Sequence, residues 1–207
     1  MLVCGNMRLQ SSHCLADRGL DAYFSPPCVV QSLIAIEGEK IPRRLWEPAA
    51  GDGTGVVLPV RAAGFHVVAS DIADYGCPDC TIADYLTTPV PPGVAGIVTN
   101  PAYLLAPRFI EKALTEVGYS AWLLRTNFLE STARLPLFRE HPPARVWISS
   151  RRLPMQHRHG WTGPRAASNT AFAWFVRDAA ATVEQRLDWF DWREHAAAEP
   201  ARVEDAA

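Results

Sequence analysis

A glycine-rich segment, Glu47-Pro48-Ala49-Ala50-Gly51-Asp52-Gly53-Thr54-Gly55, carries the clearest chemistry in this chain of 207 residues. It follows a short apolar run and precedes a helical pattern, which is where an open α/β sheet binds its ligand. Glycines there let the backbone turn tightly and approach a ligand without an intervening Cβ. Asp71 closes the next apolar run, about twenty residues after Gly51, and a carboxylate at that position accepts hydrogen bonds from ribose hydroxyls. Together they predict a ligand that contains a nucleoside.

Two classes of cofactor use such an arrangement, and the details of the loop distinguish them. A dinucleotide site has the pattern Gly-x-Gly-x-x-Gly, because a pyrophosphate rests on the helix N-terminus; here Val56 stands at the third glycine position. Glu47 is an unfavourable neighbour for a pyrophosphate but suits a ligand with an ammonium group, such as the methionine part of S-adenosylmethionine. The loop therefore favours S-adenosylmethionine over NAD, and the alternative is a tight turn that binds nothing.

A second group of residues, Thr99-Asn100-Pro101-Ala102-Tyr103, follows another apolar run. With the glycine loop and Asp71 ahead of it, this order resembles the class I S-adenosylmethionine-dependent amino-methyltransferases. Their signature at this position is Asn-Pro-Pro followed by Tyr or Phe. The resemblance covers residues 23–178 and includes a Phe-x-x-Pro segment before the loop, here Tyr23-Phe24-Ser25-Pro26-Pro27. Residues 124–131 and 150–154 are also similar to small adenine-methyltransferase-like proteins of phages and prophages.

The resemblance implies a role for each residue of this tetrad. An aromatic amine is a poor nucleophile because its lone pair is delocalised into the ring. The side-chain oxygen of Asn100 and the carbonyl of Pro101 would grip its two N–H bonds and aim the lone pair at the methyl group, while Tyr103 would stack on the base. Catalysis would then consist of orientation and charge stabilisation, without a general base. Ala102 stands where the family usually has proline, which keeps the acceptor carbonyl but reduces backbone stiffness.

The same resemblance implies a cofactor site. The segment before the loop would contact the methionine part, Asp71 would hold the ribose with Ile72 against the adenine ring, and Asp84 would read the adenine amine. S-adenosylhomocysteine would be the product. A metal is not expected, because Cys77-Pro78-Asp79-Cys80 is only half of a zinc motif. The cofactor-binding residues predicted are Tyr23, Phe24, Ser25, Pro26, Glu47, Ala49, Gly51, Asp52, Gly53, Asp71, Ile72, Asp84, Tyr85 and Asn100.

Apolar runs that alternate with helical patterns must position these residues. Several runs, such as 121–124, are continuously apolar, which is typical of strands covered on both faces by helices. The alternation predicts an α/β, doubly wound, Rossmann-like domain whose seven-stranded sheet is mostly parallel and ends in an antiparallel hairpin. The predicted strands are 44–47, 66–71, 80–83, 96–99, 120–125, 145–149 and 170–176, and the predicted helices are 26–37, 56–63, 107–117 and 131–139.

One domain at 21–198 is predicted, with an N-terminal extension at 1–20 and a disordered tail at 199–207. Just before that tail, an apolar group indicates a docked helix more than a partner site: Leu187, Trp189, Phe190 and Trp192. No apolar run approaches the ~20 residues of a membrane span, and the N-terminus does not read as a secretory signal. Five scattered cysteines argue against a disulfide framework and for the reducing cytoplasm.

The net charge of −2 conceals a basic stretch. Residues 125–165 contain eight arginines and only two acids, whereas the chain from 179 onward is acidic. An arginine-rich segment in an acidic protein indicates a contact for an anion such as a phosphate backbone, although a solvated surface would have the same composition. The nucleic-acid-binding residues predicted are Arg125, Arg151, Arg152, His157, Arg158, Trp161 and Arg165.

The resemblance implies methyl transfer to an exocyclic amine. N6 of adenine in DNA is the first candidate substrate, and RNA adenine or a protein glutamine amide are alternatives. A base in a duplex must leave the stack to reach Asn100 and Tyr103. Because no room remains for a recognition domain after Val176, we expect loose specificity, a single-stranded substrate, a homodimer or a recognition partner. A non-catalytic relative that binds cofactor or nucleic acid is a third class, which Ala102 keeps open.

Overall fold

The computed structural model describes residues 24–153, 155, 170–182 and 184–195. Their centre is an eight-stranded sheet with the order β3-β2-β1-β4-β5-β7-β6-β8. Strands β1 to β5 are parallel, β7 lies antiparallel between β5 and β6, and β8 is parallel to β6. The strands are β1 (Arg44–Glu47), β2 (His66–Asp71), β3 (Cys80–Ile82), β4 (Gly96–Thr99), β5 (Tyr119–Arg125), β6 (Arg145–Ser149), β7 (Phe172–Asp178) and β8 (Arg186–Phe190). The predicted doubly wound α/β sheet with an antiparallel hairpin is confirmed, but the sheet has eight strands and not seven, because β8 adds to its edge.

Helices cover both faces of this sheet, which explains the continuously apolar strands. Along β5, Ala121 and Leu123 face one apolar layer while Trp122 and Leu124 face the other, because successive side chains of a strand point to opposite faces. The first layer includes side chains of α1 (Pro27–Glu37) and α2 (Val57–Ala62). The second includes side chains of α3 (Ala106–Glu116) and α4 (Leu135–Glu140). Every residue of β4 is buried, as a central strand between two layers requires.

The first three helices lie within one residue of their predicted bounds, and the fourth begins four residues later than predicted. α1 begins with Pro27, whose fixed φ suits the first helical turn, and ends at Gly38 with a φ of 54°. The segment predicted as a helix over 131–139 begins instead as a 3-10 turn, Thr132–Arg134, before α4. Ser131 caps this turn because its hydroxyl accepts a hydrogen bond from the Ala133 N–H.

The apolar group near the C-terminus forms a strand, so the prediction of a docked helix is wrong. Leu187 and Phe190 lie in β8, which pairs with β6 at the edge of the sheet, and Trp192 begins a short 3-10 turn. Phe190 is buried, whereas Leu187 and Trp189 are 52% and 59% exposed. Their exposure follows from the alternation of a strand at an edge, where only one face of β8 meets the core. The predicted extension at 1–20 and tail at 199–207 lie outside the described residues.

Within the described part of the chain, no helix has the length and apolar character needed to cross a bilayer.

Candidate active site

The carboxyl ends of β1, β2 and β4 bring the predicted chemical groups to one edge of the sheet. Glu47 closes β1, Asp71 closes β2, and Asn100 follows β4. A cavity of about 330 Å³ opens there. Ten of the predicted catalytic and cofactor-binding residues line it: Phe24, Ala49, Gly51, Asp71, Ile72, Asp84, Tyr85, Asn100, Pro101 and Tyr103. The edge is where ligands bind in open α/β sheets.

The other predicted cofactor residues lie around this cavity. Ser25 and Asp52 line a smaller pocket that shares Phe24, Ala49 and Asn100 with the first. Pro26 precedes α1. Gly53 packs against Cys77 and is not among the residues that line the cavity. Tyr23 lies outside the described residues.

The glycine loop depends on glycine at two positions. Gly51 and Gly53 have φ values of 57° and 81°, in the left-handed region that other residues rarely adopt. A Cβ on Gly51 would lie 2.6 Å from Cε1 of Phe24, and one on Gly53 would lie 2.7 Å from Sγ of Cys77. The loop is therefore pressed between the segment before α1 and the segment after β2, and neither glycine has room for a side chain.

Asp71 connects the loop to the end of β2. Its Oδ2 accepts a hydrogen bond of 2.8 Å from the Gly51 N–H, and the side chain lies in the cavity wall. Burial raises the pKa of Asp71, while hydrogen bonds from backbone N–H groups, that of Gly51 foremost, lower it. The carboxylate thus fixes the loop and presents an acceptor to the cavity.

Glu47 is a buried acid without a cationic partner among the described residues. It is 1% exposed, and its Oε1 accepts hydrogen bonds from the Ala49 N–H at 2.9 Å and the Thr99 hydroxyl. Its Oε2 accepts none from the described part of the chain. Burial raises the pKa of Glu47 to about 8. Glu47 is not among the residues that line the cavity, whereas its neighbours Pro48 and Ala49 are, and its role in cofactor binding stays a prediction.

The tetrad is held at the beginning of α3. Pro101 is buried, Asn100 and Tyr103 are half-buried, and all three line the cavity together with Ala102. The Ala102 carbonyl accepts a hydrogen bond of 2.9 Å from the Leu105 N–H, one residue before α3. This turn restrains the backbone at the position where proline would otherwise stiffen it. The backbone of Ala102 has no positive φ.

Tyr103 is shared between the cavity and a basic residue. The guanidinium carbon of Arg125, at the end of β5, lies over the Tyr103 ring, 4.8 Å from its centroid. Phe172 packs at a tilt, with 6.1 Å between ring centroids. A base stacked on Tyr103 must therefore either use the opposite face of the ring or displace Arg125.

Several cavity residues are absent from the sequence prediction. Tyr75, in the loop after β2, packs edge-on against Phe24 with 5.8 Å between centroids. Arg108 and Leu105 lie at the beginning of α3 and line the cavity. The rule that loops at the carboxyl edge form the site could have identified all three. Their sequence neighbourhoods carry no motif that singles them out.

The predicted nucleic-acid-binding residues fall into three groups. Arg125 contacts the cavity residue Tyr103, while Arg151 and Arg152 follow β6, whose carboxyl end lies at the same edge of the sheet. Arg151 forms an ion pair with Asp191, and Arg152 is exposed. The remaining four, His157, Arg158, Trp161 and Arg165, lie outside the described residues.

Two further arginines of the basic stretch already have acceptors among the described residues. Arg145 is buried between Glu37 and Asp178. Arg134 donates hydrogen bonds to three backbone carbonyls, those of Asn127, Phe128 and Glu130. The surface of the stretch is thus less basic than its composition indicates.

Cys77 and Cys80 act as packing residues under the glycine loop. Burial raises the pKa of both thiols, that of Cys80 to about 12. Among the residues with described positions, no group of three or more His, Cys, Asp or Glu side chains could hold a metal ion.

No protein-family model matches the sequence, and no curated protein matches it. Among solved structures, the chain is similar to a Listeria monocytogenes protein assigned to the class I S-adenosylmethionine-dependent methyltransferases, with a TM-score of 0.53 and 12% identity over 82% of this chain and 66% of that one. It is also similar to a modification subunit assigned to a type I restriction enzyme of Vibrio vulnificus, with a TM-score of 0.52 and 11% identity over 82% of this chain and 47% of that one. The chain thus spans about two thirds and about half of their lengths. These likenesses show that the chain shares the Rossmann-like α/β fold of these two structures.

Proposed function

We propose that this protein transfers a methyl group from S-adenosylmethionine to an exocyclic amine, with N6 of adenine in DNA as the first candidate acceptor. One observation carries the proposal. The loop with Gly51, the acid Asp71 and the tetrad from Asn100 to Tyr103 share one cavity, although they come from three different strand ends. A cofactor site and an amine-binding site that open into the same space are what direct group transfer requires.

The residues of the cavity fit this cofactor. Asp71 presents a carboxylate where a ribose would bind, and Ile72, which is exposed, provides an apolar surface for an adenine ring. The Asp84 side chain lines the cavity and already accepts a hydrogen bond of 2.9 Å from the Leu86 N–H. Glu47 Oε2 is a buried acceptor in need of a donor, which an ammonium group reaching past Ala49 would satisfy.

The residues of the tetrad then act by orientation. When bound, the cofactor would supply an electrophilic methyl group on a sulfonium, and it would leave as S-adenosylhomocysteine once its bond from sulfur to the methyl carbon is broken. The Asn100 side-chain oxygen and the Pro101 carbonyl accept hydrogen bonds from the two N–H groups of the amine, so that its lone pair points into the cavity. These acceptors also stabilise the positive charge that develops on nitrogen as the new N–C bond forms, and the nitrogen then loses one proton to solvent. Tyr103 holds the plane of the base, and Arg125 fixes one face of the Tyr103 ring.

The experiment that tests the proposal starts with isothermal titration of the protein with S-adenosylmethionine and, separately, with NAD. We expect micromolar binding of the first and none of the second. A screen with a radiolabelled methyl group over DNA, RNA and protein then identifies the acceptor. Tight NAD binding, or no binding of S-adenosylmethionine, would contradict the assignment of the cofactor.

Asn100→Ala separates catalysis from cofactor binding. Because this change removes one of the two acceptors that orient the amine, we expect a loss of about a hundredfold or more in transfer rate, with cofactor affinity unchanged. Turnover at the wild-type rate would contradict the role of the tetrad in orienting the amine. Wild-type binding without transfer to any acceptor, by contrast, would favour a non-catalytic binding protein.

A further inference from the structure

Charge is distributed unevenly around the mouth of the cavity. The acids Asp71 and Asp84 belong to the ends of β2 and β3, on one side of the switch between β1 and β4. On the other side, Arg108 lies in the first turns of α3 after β4, and Arg125 ends β5. The tetrad lies between these two sides, because Asn100 directly follows β4. One half of the mouth therefore suits hydroxyl and ammonium groups, and the other half suits an anion.

The two arginines of the basic half have no acceptor among the described residues. Both side chains are exposed, and neither guanidinium forms an ion pair or hydrogen bond with the described part of the chain. Arg125 contacts the ring of Tyr103 through one face of its guanidinium, which leaves its N–H groups available. This differs from Arg134, Arg145 and Arg151, which carbonyls or carboxylates already hold. Free guanidinium groups beside a reaction cavity are suited to bidentate binding of phosphate.

We infer that Arg108 and Arg125 bind the phosphates of a nucleic-acid strand next to the nucleotide whose amine enters the tetrad. This inference rests on the proposed function, and it selects nucleic acid over a protein glutamine, whose neutral amide brings no anion to the basic half of the mouth. Exposed Leu104 and Leu105 lie between the tetrad and Arg108 and provide an apolar surface for the sugar or a neighbouring base. The arginines position the strand, and the tetrad reads the base.

Fluorescence anisotropy with a labelled, adenine-containing single-stranded oligodeoxynucleotide tests this inference across a range of salt concentrations. We expect Arg108→Gln and Arg125→Gln each to weaken binding about tenfold. The double variant should lower the slope of log affinity against log salt by about 1.4, since each phosphate contact on a single strand contributes about 0.7. The single variant Arg108→Lys should keep the wild-type slope, because lysine retains the positive charge.

Arg44→Gln is the matched control. It also removes one exposed arginine, but at the beginning of β1, on the opposite edge of the sheet, so affinity and slope should stay at wild-type values. A double variant that binds the oligonucleotide like wild type would overturn the inference, as would wild-type protein that binds no oligonucleotide. Competition by adenosine monophosphate as effective as by the strand would assign the two arginines to a free nucleotide and overturn the inference of a strand.

Titration with S-adenosylmethionine distinguishes failure here from failure of the proposed function. Oligonucleotide binding is measured without cofactor, and cofactor binding is measured without oligonucleotide, so that each is tested by itself. Cofactor binding without any oligonucleotide binding would contradict the phosphate site and leave the proposed function standing. Oligonucleotide binding that depends on the two arginines, in a protein that binds no cofactor, would contradict the proposed function and leave the phosphate site standing.

Discussion

Two buried glutamates, one at the end of α1 and the other at the end of β1, show how the same residue serves different purposes. Glu37, at the end of α1, has a side chain with 0% exposure and is surrounded by donors. Arg145 binds it through two hydrogen bonds of 2.8 Å, the Trp147 indole donates at 2.7 Å, and the Tyr119 hydroxyl donates at 3.3 Å. Arg145 also pairs with Asp178 at 2.7 Å. This cluster joins α1 to three strands.

Glu47 has the same burial and lacks such partners. One of its oxygens has two donors, and the other has none within the described residues. A fully satisfied buried carboxylate stabilises a fold, whereas a buried carboxyl without a cation costs stability and is retained where a ligand completes it. The comparison therefore assigns Glu37 to the framework and supports the proposal that Glu47 takes part in cofactor binding.

Replacing each of the two glutamates by glutamine should have its largest effect on the free energy of unfolding. Glu37→Gln leaves Arg145 with half-buried Asp178 as its remaining counter-charge among the described residues, so we expect the free energy of unfolding to fall by about 3 kcal/mol. Glu47→Gln should cost about 1 kcal/mol or less, because it replaces a carboxyl that is already neutral near pH 7. Urea denaturation of both variants measures the difference. Equal losses would contradict the contrast between the two glutamates.

At the site end, loss of Asp71 should remove function and spare the fold. We expect Asp71→Ala to weaken S-adenosylmethionine binding more than about a hundredfold, or by more than about 2.7 kcal/mol. The free energy of unfolding should fall by only about 1–2 kcal/mol, because the Gly51 N–H loses its acceptor. Titration calorimetry and urea denaturation give the two numbers. Wild-type affinity in this variant would refute the role of Asp71.

The pH dependence of stability sharpens the contrast further. The pKa of Glu47 rises from 4.5 to about 8 on folding. The folded state therefore holds a proton that the unfolded state has lost between these values, and the free energy of unfolding falls as pH rises from about 4.5 to about 8. Glu47→Gln cannot titrate and should flatten this decline. Denaturation at about pH 5, 6.5 and 8 measures both slopes, and parallel curves for the two proteins would contradict the assignment.

Cofactor binding should also change the protonation of Glu47. An ammonium group beside Glu47 favours the ionised carboxylate and lowers its pKa, so binding near pH 6.5 should release about one proton. Calorimetry in buffers of different ionisation enthalpy detects the release. If binding moves no proton, the ammonium group does not reach Glu47.

The smallest effect is expected at Ala102. Because the Ala102–Leu105 turn already restrains this backbone, Ala102→Pro should change the transfer rate less than about tenfold. A rise well beyond tenfold would show that alanine had impaired the tetrad, and would bring this site closer to a binding site without turnover.

Much of the site follows from local sequence. The strands that end at Glu47, Asp71 and Thr99 are recognisable as apolar runs, and parallel strands place their carboxyl ends at one edge. The glycines of the loop are needed because of their backbone conformation, a local property of φ. Burial on both faces is visible in the continuous runs of β4 and β5.

Contacts between distant segments could not be obtained in this way. The ion pair of Glu37 with Arg145 joins residues 108 positions apart, and it turns a predicted member of a basic surface into a buried framework residue. Arg125 becomes a neighbour of the tetrad only because β4 and β5 are adjacent in the sheet. The apolar and aromatic residues of β8 did not distinguish a strand from a docked helix in the sequence. Pairing with β6 makes this segment a strand and defines its exposed and buried faces.

The sequence by itself determined which residues lie at strand ends, because steric limits and the alternation of side chains act between near neighbours. The tertiary structure alone decided which buried acid has a cation and which does not. That choice depends on the order and register of the strands, which follow from packing of the whole sheet and not from any local pattern.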